Sequence, residues 1–128
     1  MDTPTRLGLL LAFAAVLGAR PAVAQTSAAV TPAALATGDT IFHSKGNCYA
    51  CHGANAEGAV GPNLTDAEWI HSDGSYDAIV KQVTTGVTKE ESKSGIPMPA
   101  KGGSAITDDE VKAVAAYVYS LSHKKPGS

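Results

Sequence analysis

A cysteine pair followed directly by a histidine is the feature of this sequence with the most specific chemistry. Cys48, Cys51 and His52 have the spacing C-x-x-C-H, which is the attachment signal for c-type haem. Two thiols three positions apart on a turn of helix can reach both vinyl groups at one haem edge and form thioethers. The next residue then places its imidazole under the iron as the proximal ligand. The motif predicts one covalently bound haem c.

Two other functions of the cysteine pair stay open at this point. A thioredoxin-like dithiol would need a βαβ context and a helix that opens at the first cysteine. Here a predicted helix precedes Cys48, and no βαβ pattern is present. A structural zinc site would need a second pair of ligands at similar spacing, and His43 and His71 are not so arranged.

A methionine between two prolines is the predicted sixth ligand of the iron. Met98 follows His52 by 46 residues and lies between Pro97 and Pro99. The prolines fix φ and keep the loop from folding into a helix, so the thioether is firmly held. Buried methionine usually fills core space, but Met/His ligation is what cytochromes c use. The histidines are the alternative ligands: His71 is the strongest, while His43 is expected to point to solvent and His123 lies near the C-terminus.

The N-terminal segment has the pattern of a secretory signal peptide over residues 1–24. Arg6 supplies the positive charge, Leu7–Leu17 is an apolar run, and Ala22–Ala24 gives a small-x-small cleavage site. Eleven apolar residues are too few to span a bilayer, which takes about 20. Covalent haem attachment also takes place outside the cytoplasm, so the motif and the signal both predict a periplasmic protein. A retained N-terminal anchor is the alternative.

The remainder predicts one all-α domain, with a flexible tail at 25–33, the domain at 34–122 and a short tail at 123–128. Helix caps, turn glycines and apolar spacing of i, i+3, i+4 locate the helices. The stretch 87–103 is rich in glycine, proline and charge, which predicts an irregular loop. The predicted helices run from Pro32 to about Lys45 with Gly46 at C′, from Thr65 towards Ile70, from the Ser75 cap to Gly86, and from the Thr107 cap towards the C-terminus.

Composition narrows the function further. The chain of 128 residues has 10 Lys+Arg and 12 Asp+Glu, so no basic excess indicates nucleic-acid binding. It is 44% hydrophobic and 17% charged, which excludes a disordered chain. Two cysteines exclude a disulfide-rich scaffold. Aromatic residues make up only 5%, so a bound apolar plate such as haem would help to fill the core.

The chain resembles a class I, monohaem cytochrome c over about residues 34–122. The resemblance rests on the attachment motif, the Gly61–Leu64 segment, the Met98 loop and the terminal helices. Residues 61–69 and 115–121 are similar to the haem domains of the dihaem subunit of cbb-type oxidases. That subunit has two attachment motifs and a membrane anchor, whereas this sequence has one motif, so we expect a different protein. The stretch Lys89–Ser94 also lengthens the loop before the methionine.

The resemblance implies a cytochrome c fold of about four helices wrapped around one covalent haem. It implies that the Pro62 carbonyl accepts the N–H of the proximal histidine. It also implies that the first and last helices cross at Gly38, with Phe42 and Tyr117 beside the crossing. Trp69 is expected either to line the haem pocket or to be an ordinary core residue.

The expected function is one-electron transfer between periplasmic redox proteins, one a donor and the other an acceptor, with no enzymatic activity of its own. With His52 and Met98 both bound, the iron has no position open to a substrate. We expect a soluble mature protein that docks transiently. Two alternatives are a haem-bearing subunit docked to a dehydrogenase or oxidase, and a haem sensor or enzyme with a labile sixth ligand.

Overall fold

The fold is a small helical domain, seen in a computed structural model that describes residues 18, 26 and 28–124. The predicted signal peptide and the last four residues lie outside the described residues, apart from Gly18. Between residues 30 and 124 there are four α-helices and one 3₁₀ turn. They are α1 (Pro32–Phe42), α2 (Tyr49–His52), α3 (Tyr76–Thr85), the 3₁₀ turn (Ala100–Gly103) and α4 (Asp108–Ser122).

Helix α1 begins as predicted and ends earlier than predicted. The Thr31 side chain accepts from the Ala34 N–H at 3.2 Å, and Pro32 occupies the first turn, where its missing N–H costs nothing. The helix was predicted to reach Lys45 but stops at Phe42. The chain turns back there, because the N–H groups of Ser44 and Gly46 both bind the Ile41 carbonyl. The predicted tail also has structure at its end, since Ala29 and Val30 pack against the core.

Helices α3 and α4 begin at their predicted caps, and α3 also ends at the predicted glycine. The Ser75 side chain accepts from the Ala78 N–H at 3.3 Å, and Gly86 ends α3. At α4, the Thr107 hydroxyl accepts from the Glu110 N–H at 3.3 Å, and the Glu110 carboxylate accepts from the Thr107 N–H at 2.9 Å. These two bonds form the predicted capping box, which satisfies two N–H groups that the helix leaves unpaired.

The predicted short helix from Thr65 towards Ile70 is wrong. This segment is a series of bends. The Asn63 carboxamide oxygen accepts from both the N–H and the hydroxyl of Thr65, each at 2.7 Å, and the Asp66 carboxylate accepts from the Glu68 N–H at 3.0 Å. Side-chain turns of this kind compete with helix formation for the same N–H groups, and here they take both N–H groups that a capping box would use.

Helices α1 and α4 cross closely and form the main packing contact of the domain. Gly38 lies at the crossing, where a β-carbon would come within 2.7 Å of the Tyr117 Cβ. Phe42 is fully buried, and its ring meets Tyr117 edge to face at a centroid distance of 5.5 Å. The rest of the core comes mainly from α4, through Val111, Val114 and Val118.

The loop between α3 and α4 is irregular, as predicted, but it contains one pair of β-type hydrogen bonds. Val87 and Met98 each donate an N–H to the carbonyl of the other, at 2.8 and 2.9 Å. Within residues 28–124 this isolated bridge is the extent of β structure. No helix in the described part of the chain is long and apolar enough to cross a membrane.

We expect Thr107→Ala to lower the free energy of unfolding by about 1 kcal/mol, because the capping hydroxyl is removed from α4. Denaturant unfolding of the wild type and the variant measures this difference. Thr40→Ala is the matched control, since Thr40 is an exposed threonine inside α1 whose hydroxyl only bonds back to Ala36. A cost for Thr107→Ala no larger than that of the control would contradict the capping role.

Candidate functional site

His52 is the buried polar side chain at the centre of the site. It ends the single-turn helix α2 and is only 8% exposed. Its Nδ1 donates a hydrogen bond to the Pro62 carbonyl at 2.9 Å, the contact that the resemblance implied. Because Nδ1 carries the proton, Nε2 is the nitrogen that offers a lone pair. A bond of this type fixes the orientation of an imidazole that binds a metal.

Burial lowers the pKa of His52, and the hydrogen bond to Pro62 only partly opposes this effect. The imidazole is therefore neutral at pH 7, which is the form that binds metals. The loop from Gly53 to Pro62 is folded tightly against the motif. The N–H groups of Gly58 and Gly61 donate to the carbonyls of His52 and Cys51, both at 2.7 Å. A β-carbon at position 61 would lie 3.0 Å from the His52 ring, so the loop passes directly beside the imidazole.

The two cysteines are at the same wall of the site as His52. Cys48 precedes α2 and is half-buried, whereas Cys51 lies within α2 and is exposed. Both thiols are free. Burial raises the pKa of the Cys48 thiol to about 11, so this thiol is protonated at neutral pH. Reactive dithiols instead depend on a lowered thiol pKa, which disfavours the thioredoxin-like interpretation.

The zinc interpretation also lacks support in the described residues. No group of three or more histidine, cysteine, aspartate or glutamate side chains is close enough to hold a metal ion there. A structural zinc ion needs four such ligands.

Met98 lines the same site as the motif, on a loop that is fixed through its backbone. The bridge to Val87 fixes the main chain of Met98, and Gly86 lies beneath it. Gly86 has φ +71°, and a β-carbon there would lie 2.7 Å from the Ala100 N. This position therefore requires glycine, both for its left-handed conformation and for the close approach of the methionine loop.

The motif and the methionine loop both line one open cleft of about 150 Å³. Cys48, Cys51, His52, Pro62 and Met98 are among its lining residues. The cleft adjoins a small inner cavity of about 40 Å³, whose lining includes Cys48, His52 and Met98 again. Trp69 lies in the wall of this inner cavity, together with Phe42, Leu64, Ile79, Val83, Val114 and Val118.

Gln82 is a site residue that the sequence analysis did not single out. It lies on α3 and lines both the cleft and the inner cavity. Its Oε1 is buried and has no hydrogen-bond partner in the described part of the chain, a state that costs about 1–3 kcal/mol. An apolar cavity with one unpaired amide and facing histidine and methionine side chains fits a flat, mostly apolar cofactor with some polar groups. The sequence signal that could have pointed to Gln82 was its position next to Val83, which is buried on α3.

The three alternative histidine ligands have different environments. His71 lines the cleft, and its Nε2 accepts the Lys93 N–H at 3.1 Å. A neutral His71 with this bond carries its proton on Nδ1, so neither nitrogen offers a free lone pair. His123 is at the end of α4 and binds the Tyr119 carbonyl. His43 is exposed, as expected, and its two ring nitrogens also contact the carbonyls of Asp39 and Ala54.

Solved structures with the same fold confirm the predicted all-α class. Cytochrome cL from the marine methylotroph Methylophaga aminisulfidivorans MPT superposes with a TM-score of 0.58 at 23% identity, over 89% of this chain and 74% of that one. Cytochrome cL from Hyphomicrobium denitrificans gives the same TM-score and identity, over 80% of this chain and 60% of that one. The molecule therefore has a cytochrome c fold.

The family follows from the sequence. Residues 33–118 match the model of the family described as cytochrome c oxidase, cbb3-type, subunit III, and the chain belongs to this family of cytochrome c domains. The cbb3-type cytochrome c oxidase subunit CcoP of Rubrivivax gelatinosus is 41% identical over 92 residues, covering 71% of this chain and 27% of that protein. The subunit FixP of Bradyrhizobium sp. (strain ORS 278) is 42% identical over 94 residues, covering 70% and 28%.

The recognition of a cytochrome c domain related to this oxidase subunit is thus confirmed, and membership implies haem c as the cofactor and electron transfer as the activity class. The match extends over less than a third of each of these relatives. The activity of a whole oxidase therefore does not transfer with the match.

Proposed function

We propose that the protein is a one-electron carrier that binds one covalent haem c in the cleft, with His52 and Met98 as the axial ligands of the iron. The observation that carries the proposal is the position of the buried His52 ring. Its Nδ1 is bonded to Pro62, and it lines the same cavity as the Met98 side chain. When bound, haem supplies a one-electron iron couple whose potential depends on the axial ligands.

Cys48 and Cys51 would hold the haem through two thioethers. Each thiol adds across one vinyl group, with sulfur on one carbon and hydrogen on the other, so the attachment needs no oxidant. Both thiols are free and both line the cleft, which supports this assignment. Trp69 and Gln82 would contribute to the pocket, Trp69 as an apolar wall and Gln82 as the one buried amide.

The choice of Met98 as the sixth ligand is supported by its loop and by the state of its strongest rival. The Val87 bridge holds the Met98 backbone independently of any cofactor, so the thioether needs little reorganisation to reach a ligand position. The Nε2 of His71 is occupied by Lys93. Binding His71 instead would break that bond and rebuild the lengthened loop.

If His52 and Met98 both bind the iron, no iron position is open to a substrate. This favours a carrier over an enzyme or gas sensor. The relatives are named as oxidase subunits, which makes a haem-bearing subunit docked to an oxidase the second candidate function. A stable complex recovered from membranes would favour that candidate, whereas a monomer that exchanges electrons at diffusion-controlled rates would favour the carrier.

We also propose export to the periplasm, with cleavage after residue 24, an N-terminal tail at 25–33 whose end packs on the core, the haem domain at 34–122 and a tail at 123–128. The partners would be a periplasmic electron donor and an acceptor. The apolar run and the small-residue cleavage pattern support export. The intact mass of the purified protein tests it: a chain that begins at Gln25 and carries one haem is expected. An uncleaved chain would instead indicate an N-terminal anchor.

The visible spectrum of the purified protein, oxidised and then reduced with dithionite, tests the central proposal. We expect haem that acid–acetone cannot extract, together with the weak near-infrared band of a sulfur-to-iron bond. Haem without that band would remove Met98 from the ligand set, and prompt CO binding to the reduced protein would then indicate an open site. A protein with no haem after export would contradict the whole assignment.

A further inference from the structure

His43 is held by two carbonyl oxygens, one at each nitrogen of its ring. It follows the last residue of α1, and its Nδ1 lies 2.9 Å from the carbonyl oxygen of Asp39 in the same helix. Its Nε2 lies 2.6 Å from the carbonyl oxygen of Ala54. Ala54 is two residues beyond His52, at the start of the loop that leads to Pro62. The imidazole therefore joins the end of α1 to the loop that holds His52.

Both partners of His43 accept hydrogen bonds and neither can donate. A neutral imidazole carries only one N–H, so one of its nitrogens would present a lone pair to a carbonyl oxygen. Only the imidazolium, which has two N–H groups, can make both bonds. The Asp39 carboxylate adds a third contact, with an oxygen 2.9 Å from Nδ1.

The surroundings of His43 favour the positive form. The titratable groups near the ring are Asp39 on α1, Tyr49 on α2 and Tyr117 on α4. The Phe42 ring, which does not titrate, also packs against His43. Burial raises the pKa of Tyr117, so its phenol is neutral at pH 7. The bond to Ala54, followed by the contacts with Asp39, raises the pKa of His43.

We propose that His43 is a positioning residue: as an imidazolium it ties the end of α1 to the loop that follows the attachment motif, and deprotonation releases this tie. The Ala54 contact is the one that is lost, because Asp39 lies on the same helix and keeps the proton on Nδ1. The proposal concerns the protein loop and does not rest on the identity of the sixth ligand.

The sign of the pH dependence follows from the raised pKa. A histidine with a raised pKa in the folded protein contributes its full stabilisation below its unfolded pKa of about 6.5. That stabilisation is lost as the pH rises through the pKa of the histidine in the folded protein. The loop from Gly53 to Pro62 is therefore expected to loosen on the alkaline side.

Nitrogen-15 NMR of the reduced holoprotein tests the protonation state directly. We expect both ring nitrogens of His43 to be protonated at pH 6, with a transition above pH 6.5. Amide exchange gives the second readout, as the ratio of the Gly58 and Gly61 rates to the Val114 rate in α4, because this ratio cancels the intrinsic effect of pH. We expect the ratio to rise about threefold as His43 loses its proton. This is the effect expected when one partly exposed hydrogen bond that holds the loop is lost.

Two variants and one control complete the test. His43→Gln keeps a donor but cannot titrate, so the exchange ratio should become independent of pH. His43→Leu removes the tie, so the ratio should be high at every pH. His123→Gln is the control, because His123 is exposed at the end of α4 and reaches neither the loop nor the cleft. A single protonated ring nitrogen on His43 at pH 6, or a pH-dependent ratio that persists in His43→Gln, would overturn the proposal.

Discussion

Replacing Met98 with leucine is expected to abolish the near-infrared band and lower the reduction potential by on the order of 0.1 V or more. Axial ligands set haem potentials over a range of about 0.8 V, and methionine raises the potential relative to other ligands. Leucine is the substitution to use because it nearly conserves the volume of methionine, at a cost below about 1.5 kcal/mol. Met98 is half-buried and packs against the core, so this packing should survive.

The backbone of residue 98 should also survive the change, because the bonds to Val87 use only main-chain atoms. The reduced variant should then bind CO promptly, since one iron position is open. His71→Ala is the matched control: it changes another residue in the lining of the same cleft and should leave the band and CO resistance intact. If the wild type lacked the band, and if His71→Ala rather than Met98→Leu opened the reduced iron to CO, the ligand would be His71 and the proposed ligation would be incorrect.

The parts of the fold that depend on local chemistry were predictable from the sequence. The capping box at Thr107 and the cap at Ser75 involve residues three positions apart, so a short window of sequence contains both partners of each bond. The attachment motif is local for the same reason, since its two thiols and its imidazole must all reach one haem. These features lie where the sequence places them.

The failed predictions show where local patterns compete. Thr65 and Glu68 fit a capping box, but Asn63 accepts the Thr65 N–H and Asp66 accepts the Glu68 N–H instead. The end of α1 was misplaced because the sequence up to Lys45 suits a helix. The chain instead turns back after Phe42, where the N–H groups of Ser44 and Gly46 share the Ile41 carbonyl.

The supporting residues of the site were hidden for a similar reason. Gln82 is separated from Met98 by 16 positions in the chain and from His52 by 30, and only the fold brings the three to one cavity. The bridge between Val87 and Met98 closes a loop whose composition predicts irregular structure. The contact of the exposed His43 with Ala54 was not predicted, because its partner is a backbone carbonyl, which leaves no trace in residue type.

Gly38→Ala is expected to destabilise the protein by about 1–3 kcal/mol, the range for an overpacked contact. Helix propensity predicts the opposite sign, since replacing glycine with alanine inside a helix gains roughly 0.5–1 kcal/mol. The packing effect should prevail because the added β-carbon would meet the Ala113 carbonyl and lie 2.7 Å from the Tyr117 Cβ. Neither is the flexible end of a side chain, so α1 and α4 would have to move apart.

Thermal unfolding of the holoprotein measures this effect, and a loss of 1 kcal/mol corresponds to about 4–8 °C in Tm for a domain of this size. Ala36→Ser is the matched control, because it also adds one atom to α1 but at an exposed position, and it should change stability by less than about 0.5 kcal/mol. Separation of the helices would also displace Val114 and Val118, which wall the inner cavity, so the haem spectrum of Gly38→Ala should change as well. A variant that is more stable than the wild type would contradict the close crossing, because propensity alone would then decide the outcome.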